Sequence, residues 1–243
     1  MPSMHTSRDF EAELRELRAH ALAMGARCER SLQLAFKAFW SGSLECASEV
    51  EQLDRHIDRD EMDIDALVLR ILALRQPVAF DLRFLATALK LVTDLERIGD
   101  ESVNIAERAR EGHGLATEAV KSDLESMCDE AQRMLQDALE AFVQSDSARA
   151  KDVLQRDDIV DALYGGILEK MMAYMATNPG DIPGAVRVIK VAKYIERIAD
   201  HATNIAEEVI FLVDGDDVRH IRTNPPPQAA AVVAPTETPE KTV

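Results

Sequence analysis

Aromatic residues are scarce in this sequence: one Trp, three Tyr and seven Phe among 243 residues. Sheets draw on aromatic and β-branched side chains, whereas Ala, Leu, Glu, Arg and Met, all plentiful here, lose little freedom in a helix. The shortage therefore points to an all-helical chain. Cysteine is scarcer still. Cys28, Cys46 and Cys128 are odd in number, widely spaced and form no C-x-x-C pair, which excludes a disulfide framework and leaves three small buried thiols. Basic residues are outnumbered 28 to 44, for a formal charge of −16. No segregated basic face stands out, so a nucleic acid would be repelled and is not expected as a partner. Long apolar runs are also missing: none approaches the ~20 residues that cross a bilayer. Met1 to Glu16 is charged and lacks the apolar region of a signal peptide. A soluble, cytoplasmic protein is expected, reaching the inner membrane only through partners.

What is present is helical periodicity. A hydrophobic share of 47% supplies a core for one large domain or two of about 100 residues. After a short flexible lead (1–8), the pattern predicts helices over 9–41, 44–74 and 80–110. The breaks are Ser41-Gly42-Ser43, Gln76-Pro77 and Glu111-Gly112-His113-Gly114. Three more are predicted over 117–143, 148–176 and 182–213, broken near Ser145-Asp146-Ser147, by Asn178-Pro179-Gly180 and by Asp214-Gly215. Helices this long suit a bundle. The expected domains are two three-helix bundles, 9–112 and 115–214. A Pro/Ala-rich tail, 223–243, is too poor in core-forming residues to order itself.

The two halves repeat one another. Residues 90–107, KLVTDLERIGDESVNIAE, match 190–207, KVAKYIERIADHATNIAE, at nine of eighteen positions with a shift of 100. Met24/Met127, Arg30/Arg133, Leu32/Leu135 and Phe39/Phe142 match at a shift of 103, as do Asp54/Asp157 and Asp58/Asp161. One loop of altered length accounts for the difference of three. Leu91, Leu95, Ile98, Ser102 and Ile105 form a single helical stripe, mirrored by Val191, Ile195, Ile198, Ala202 and Ile205. These stripes are core. Glu96, Asp100 and Glu107 lie on the opposite side, as do Glu196, Asp200 and Glu207, and packing does not require acids there.

Four acid-x-x-x-acid pairs fall at matching places: Asp54/Asp58, Glu96/Asp100, Asp157/Asp161 and Glu196/Asp200. Carboxylates at i, i+4 stand one above the other and repel, and a bound cation reverses the sign of that term. If adjacent helices bring their pairs together, four hard oxygen donors converge, which suits magnesium, manganese, calcium or iron rather than copper. The bland alternative is a solvated acidic face, with Arg97 and Arg197 neutralising the acids. A carboxylate-type metal-storage protein or metal-dependent enzyme is a further alternative. Di-iron enzymes use Glu-x-x-His, and no such spacing involves His5, His20, His56, His113, His201 or His220. His201 follows Asp200 directly and lies about 100° round the helix from it, which makes it a poor ligand, and most of the histidines read as ordinary surface residues. There is no G-x-x-x-x-G-K, no G-x-G-x-x-G and no nucleophile elbow, so no catalytic apparatus and no enzyme is expected.

The run Gln76-Pro77-Val78-Ala79-Phe80-Asp81-Leu82-Arg83, followed by Leu95-Glu96-Arg97-Ile98-Gly99-Asp100 and Asn104-Ile105-Ala106-Glu107, resembles the signature of PhoU proteins. Residues 195–207 repeat it in that family's manner, and the resemblance covers roughly 9–213. It implies two pseudo-symmetric three-helix bundles with metal ions or clusters on acid-rich surfaces: iron, manganese, magnesium or zinc. The metal motifs fall on Asp54, Asp58, Glu96, Asp100, Asp157, Asp161, Glu196 and Asp200, with Asn104 and Asn204 as helpers one turn on. It also implies a negative regulator of the phosphate-starvation response, a homodimeric scaffold without catalysis. Such a protein couples the PstB-type ATPase subunit of a phosphate transporter to a PhoR-type sensor histidine kinase. Gly99 against Ala199, and Asp94 against Tyr194, mark where the two halves depart from each other.

Overall fold

The computed structural model describes residues 8–111 and 115–218. The expected lead, apart from Arg8, and the expected tail lie outside the described residues. Seven α-helices and no strands are found among the described residues: α1 (Arg8–Ser41), α2 (Leu44–Arg75), α3 (Ala79–Arg108), α4 (Leu115–Ala119), α5 (Lys121–Gln144), α6 (Ser147–Thr177) and α7 (Ile182–Asp214). The sequence predicts one helix over 117–143. The structure breaks it at Val120 into α4 and α5, with Val120 itself buried.

Local chemistry sets the ends. Gly42 takes a positive φ of 67° after α1, and Ser43 caps α2 by accepting a hydrogen bond from Cys46 N at 3.2 Å. Gln76 closes α2 in the left-handed region ahead of Pro77. Asp146 caps α6, accepting from the amides of Ala148 (3.0 Å) and Arg149 (3.1 Å). Gly215 ends α7 at φ 80°.

Helices α1–α3 pack as one trio and α5–α7 as the other, while α3 lies along α7 and α1 touches α5. The predicted stripes are the core: Leu91, Leu95, Ile98 and Ile105 of α3, and Val191, Ile195, Ile198, Ala202 and Ile205 of α7, are fully buried. They belong to one continuous hydrophobic cluster spanning both trios. Phe84 of α3 stacks on Phe142 of α5 at 5.4 Å between ring centres.

A polar seam joins α3 to α7. Arg83 donates to the Leu212 carbonyl (3.3 Å), Thr87 to the Glu208 carbonyl (3.4 Å), and Lys90 Nζ to both Glu208 carboxylate oxygens (2.8 and 3.0 Å). Asp94 Oδ1 takes His201 Nδ1 at 2.9 Å and Asn204 Nδ2 at 3.2 Å, and Arg197 pairs with Glu101 at 2.9 Å. One partner's number rises along this series as the other's falls, so the helices run antiparallel.

His201 and Asp94 are both buried, so His201 is not among the surface histidines. Removing one partner strands the others away from water. Asp94→Ala is expected to cost about 1–3 kcal/mol in urea unfolding. Its cost and that of His201→Ala together should exceed the cost of the double variant. Strictly additive costs would show that the pair contributes no coupling.

Candidate functional site

In each trio the buried stripe fixes how its helices are rotated. Ile57, Ile64 and Ile71 anchor α2 and Leu91, Leu95 and Ile98 anchor α3. Their acids are left along the cleft between the two helices. The carboxyl of Asp54 is pushed up to about 6, first by burial and then by Asp58 and Asp100, against a lowering by Arg55. Glu96 is raised by burial and by Asp100, Glu61 and Asp58, with Arg97 opposing. Asp100 is raised by burial and by Asp58, with Arg197 opposing. Asp54/Asp58 and Glu96/Asp100 therefore face one another across the cleft.

The second trio repeats this. Asp200 is pushed up to about 6 by burial, Glu196 and Asp157, with a further rise from Asp161 and a lowering by Lys193. Asp157/Asp161 of α6 thus meet Glu196/Asp200 of α7. The eight acids sort into two clusters, one per repeat.

Among the described residues, no group of three or more acids, histidines or cysteines is drawn tightly enough to form a ready-made ion cage. Each cluster holds one shielded carboxylate oxygen without a hydrogen bond, Asp54 Oδ1 in the first and Glu196 Oε2 in the second, and only the second has an ammonium beside it, Lys193 Nζ at 2.5 Å. The Asp54 oxygen lies against Gly99, where an added Cβ would stand 3.3 Å from Asp54 Oδ1 and 3.2 Å from Ile57 Cδ1. Glycine here lets the carboxylate approach the α3 backbone closely. A buried oxygen without a donor, beside the exposed carboxylates of Asp58 and Asp100, fits a hard, oxygen-seeking cation.

The predicted helpers stand elsewhere. Asn104 Nδ2 donates to Glu101 Oε2 at 3.1 Å, and Asn204 Nδ2 donates to Asp94, so both amides serve the α3–α7 seam. Glu107 pairs with Arg108 at 2.9 Å. Arg197 is engaged by Glu101, outside the acidic pairs, and Arg97 forms no ion pair with the first cluster among the described residues. The seam also carries a groove of about 320 Å³ lined by Lys90, Arg97, Asp94 and Glu208. Its charges of both signs select no ion.

Two participants were not singled out from the sequence. Glu61 of α2 joins the first cluster, raised by burial, held down by a hydrogen bond from Thr93, and raised again by Asp65 and Asp58. Lys193 of α7 joins the second, donating to Glu196 Oε1 at 2.6 Å. Aligning the repeats would have exposed both, because Glu61 matches Tyr164 at the shift of 103 and Thr93 matches Lys193 at the shift of 100.

A family model for the PhoU domain matches residues 21–109 and again 124–209, once per repeat. The chain is 40% identical over 221 residues to the phosphate-specific transport system accessory protein PhoU homolog of Pseudomonas aeruginosa, spanning 89% of this chain and 90% of that one. It is 35% identical over 217 residues to the accessory protein PhoU of Escherichia coli K12, spanning 89% and 90%. Among solved structures, PhoU from Pseudomonas aeruginosa superimposes with a TM-score of 0.81 at 39% identity, covering 85% of this chain and all of that one. The phosphate transport system regulatory protein PhoU from Streptococcus pneumoniae gives 0.78 at 27% identity, covering 86% and 99%. A doubled three-helix unit, two matches to one domain model and these relatives lead to one conclusion: the chain belongs to the PhoU family.

Proposed function

We propose that this chain is a non-enzymatic regulator of phosphate uptake, an accessory protein to a phosphate-specific transport system. The support is the near full-length likeness to relatives named as accessory or regulatory proteins of phosphate transport, none of which is named as an enzyme. No helix among the described residues is long and apolar enough to cross a membrane. Work at a transporter therefore has to proceed by docking. The finer reading is that the chain, as a homodimer, binds the PstB-type ATPase subunit and a PhoR-type sensor kinase and holds the starvation response off when phosphate is plentiful. Deleting the gene should raise phosphatase expression in phosphate-rich medium, and unchanged expression would refute the regulatory reading.

The same proposal includes cation binding at the acidic clusters. Asp54, Asp58, Glu96 and Asp100 would hold an ion in the first cluster, and Asp157, Asp161, Glu196 and Asp200 are the corresponding donors in the second. A hard cation supplies positive charge that turns mutual repulsion of carboxylates into attraction and ties α2 to α3. The orphaned Asp54 oxygen is the observation that favours an ion over a merely solvated face. The side chains of Asp58 and Asp100 are exposed.

Without metal the raised carboxyls destabilise the fold. A carboxyl whose folded value lies above its unfolded value costs nothing while both states are protonated; its penalty grows as pH rises through the interval. For Asp54 that interval runs from 3.8 to about 6. In chelated protein, Asp54→Asn should match the parent's Tm near pH 4. By pH 7 it should exceed the parent by roughly 2–4 °C, the equivalent of about 1 kcal/mol after allowance for solvent screening. A constant offset across this range would contradict the repulsion argument. Added manganese should raise the parent's Tm at pH 7 and leave Asp54→Asn less affected.

A further inference from the structure

The turn from α2 to α3 is strained and apolar at once. The chain advances 32 positions from Asp58 to Lys90 but only 29 from Asp161 to Lys190, so the first repeat's turn is three residues longer. Two residues of the longer turn, Gln76 (φ 49°) and Ala79 (φ 50°), sit in the left-handed region, where a β-carbon is strained. In the matching turn from α6 to α7 no described residue has a positive φ. The three-helix unit therefore closes without this strain.

The longer turn also holds large apolar side chains in water. Val78 is 72% exposed, Leu74 68%, Leu82 46% and Phe80 36%. A single exposed leucine is ordinary, but four such side chains within nine residues on one tip form a patch. Its base is firm. Pro77 fixes its own backbone angle between the two strained residues, and Asp81, Phe84 and Leu85 are buried directly behind the tip.

The surroundings of the patch say what it fits. Glu13 of α1 accepts two hydrogen bonds from Arg75 (2.8 and 3.1 Å), and Arg83 reaches the Leu212 carbonyl near the end of α7. The start of α1 and the end of α7 therefore flank the tip. The α7 end carries Asp214, Asp216 and Asp217, all exposed. An apolar tip beside an acidic flank, on a chain of net charge −16, is complementary to an apolar pocket with a basic rim. A tip held in shape beforehand loses little freedom on docking, which gives the strained backbone a use.

We infer that the α2–α3 tip is the surface by which this chain docks on its transporter, seated in an apolar, basic-rimmed pocket of the ATPase subunit. No helix among the described residues is long and apolar enough to cross a membrane, so the contact falls on a transporter part outside the bilayer. This inference rests on the docking reading given above and adds the surface that docks and the chemistry it meets. Apolar anchors at the centre of such a contact set its strength, while the acidic flank sets its rate and salt dependence.

The test uses the full chain and the purified ATPase subunit of the same organism, with binding followed by biolayer interferometry. Val78→Asp and Leu74→Asp each put a charge into the patch at a side chain already mostly in water, and should weaken binding by about tenfold or more. Val78→Ser should weaken it in the same direction. Met172→Asp and Ile182→Asp charge exposed apolar positions elsewhere and should change it by less than about twofold. Added salt should slow association of the parent. Circular dichroism and thermal unfolding check that each variant is folded. Tip variants that bind the ATPase subunit as the parent does would overturn the tip assignment and leave the docking reading intact. A tip variant that keeps the ATPase subunit but loses the sensor kinase would overturn it likewise, giving the tip to another partner. A parent that does not bind the ATPase subunit would overturn both.

Discussion

Burial of the α3 and α7 stripes is the interaction on which the rest of the molecule depends. Each large aliphatic side chain taken fully out of water contributes about 1.5–3 kcal/mol, and Leu91, Leu95, Ile98, Val191, Ile195 and Ile198 are all fully buried. Like charges at i, i+4 on a helix cost only ~0.2–0.5 kcal/mol per pair. Packing wins by a wide margin, so it alone sets the rotation of these helices. Once the rotation is set, Glu96/Asp100 have to face Asp54/Asp58, and Glu196/Asp200 have to face Asp157/Asp161. The repulsion persists because the core does not let the helices turn away from it.

The seam between α3 and α7 shows what duplication permits. A perfect repeat would place the same pairs on both sides of the pseudo-twofold axis. Instead Asp94 grips His201 and Asn204, while the matching positions hold Tyr194, Glu101 and Asn104, and Glu101 turns to Arg197 and Asn104. Buried polar atoms must find partners, but different partners serve equally well. The same freedom separates the acidic clusters, where Thr93 and Glu61 became Lys193 and Tyr164. The core stripes differ at three of five positions, Leu91/Val191, Leu95/Ile195 and Ser102/Ala202, but each exchange keeps a small or aliphatic side chain, as close packing requires.

Much of this was legible before any coordinates. Period-3.6 stripes and breaks at proline, glycine and serine-containing stretches place the six long helices to within a few residues, and the repeat sets acid pairs at matching places on α2, α3, α6 and α7. The break at Val120 was not legible, because no glycine or proline marks it and the residue is simply buried. Asn104 and Asn204 were misplaced for a geometric reason. Eight residues beyond Glu96 and Glu196 the helix has turned 80° past two full turns, and there the amides meet Glu101 and Asp94 of the α3–α7 seam. The burial of His201 was not legible either: it depends on α3 covering that face of α7, which one helix's periodicity does not reveal. Glu61 and Lys193 lie one turn from the motif acids, and only the alignment of the two repeats shows them as a matched exchange.

The most direct measurement is anomalous diffraction at the manganese edge from crystals of the full chain equilibrated with Mn²⁺. Repulsion held in place by the core predicts a peak in the cleft between α2 and α3, within ligand distance of Asp54, Asp58, Glu96 and Asp100, with their side chains drawn inward. A cleft crossed instead by arginine side chains, with no anomalous signal between the helices, would contradict it.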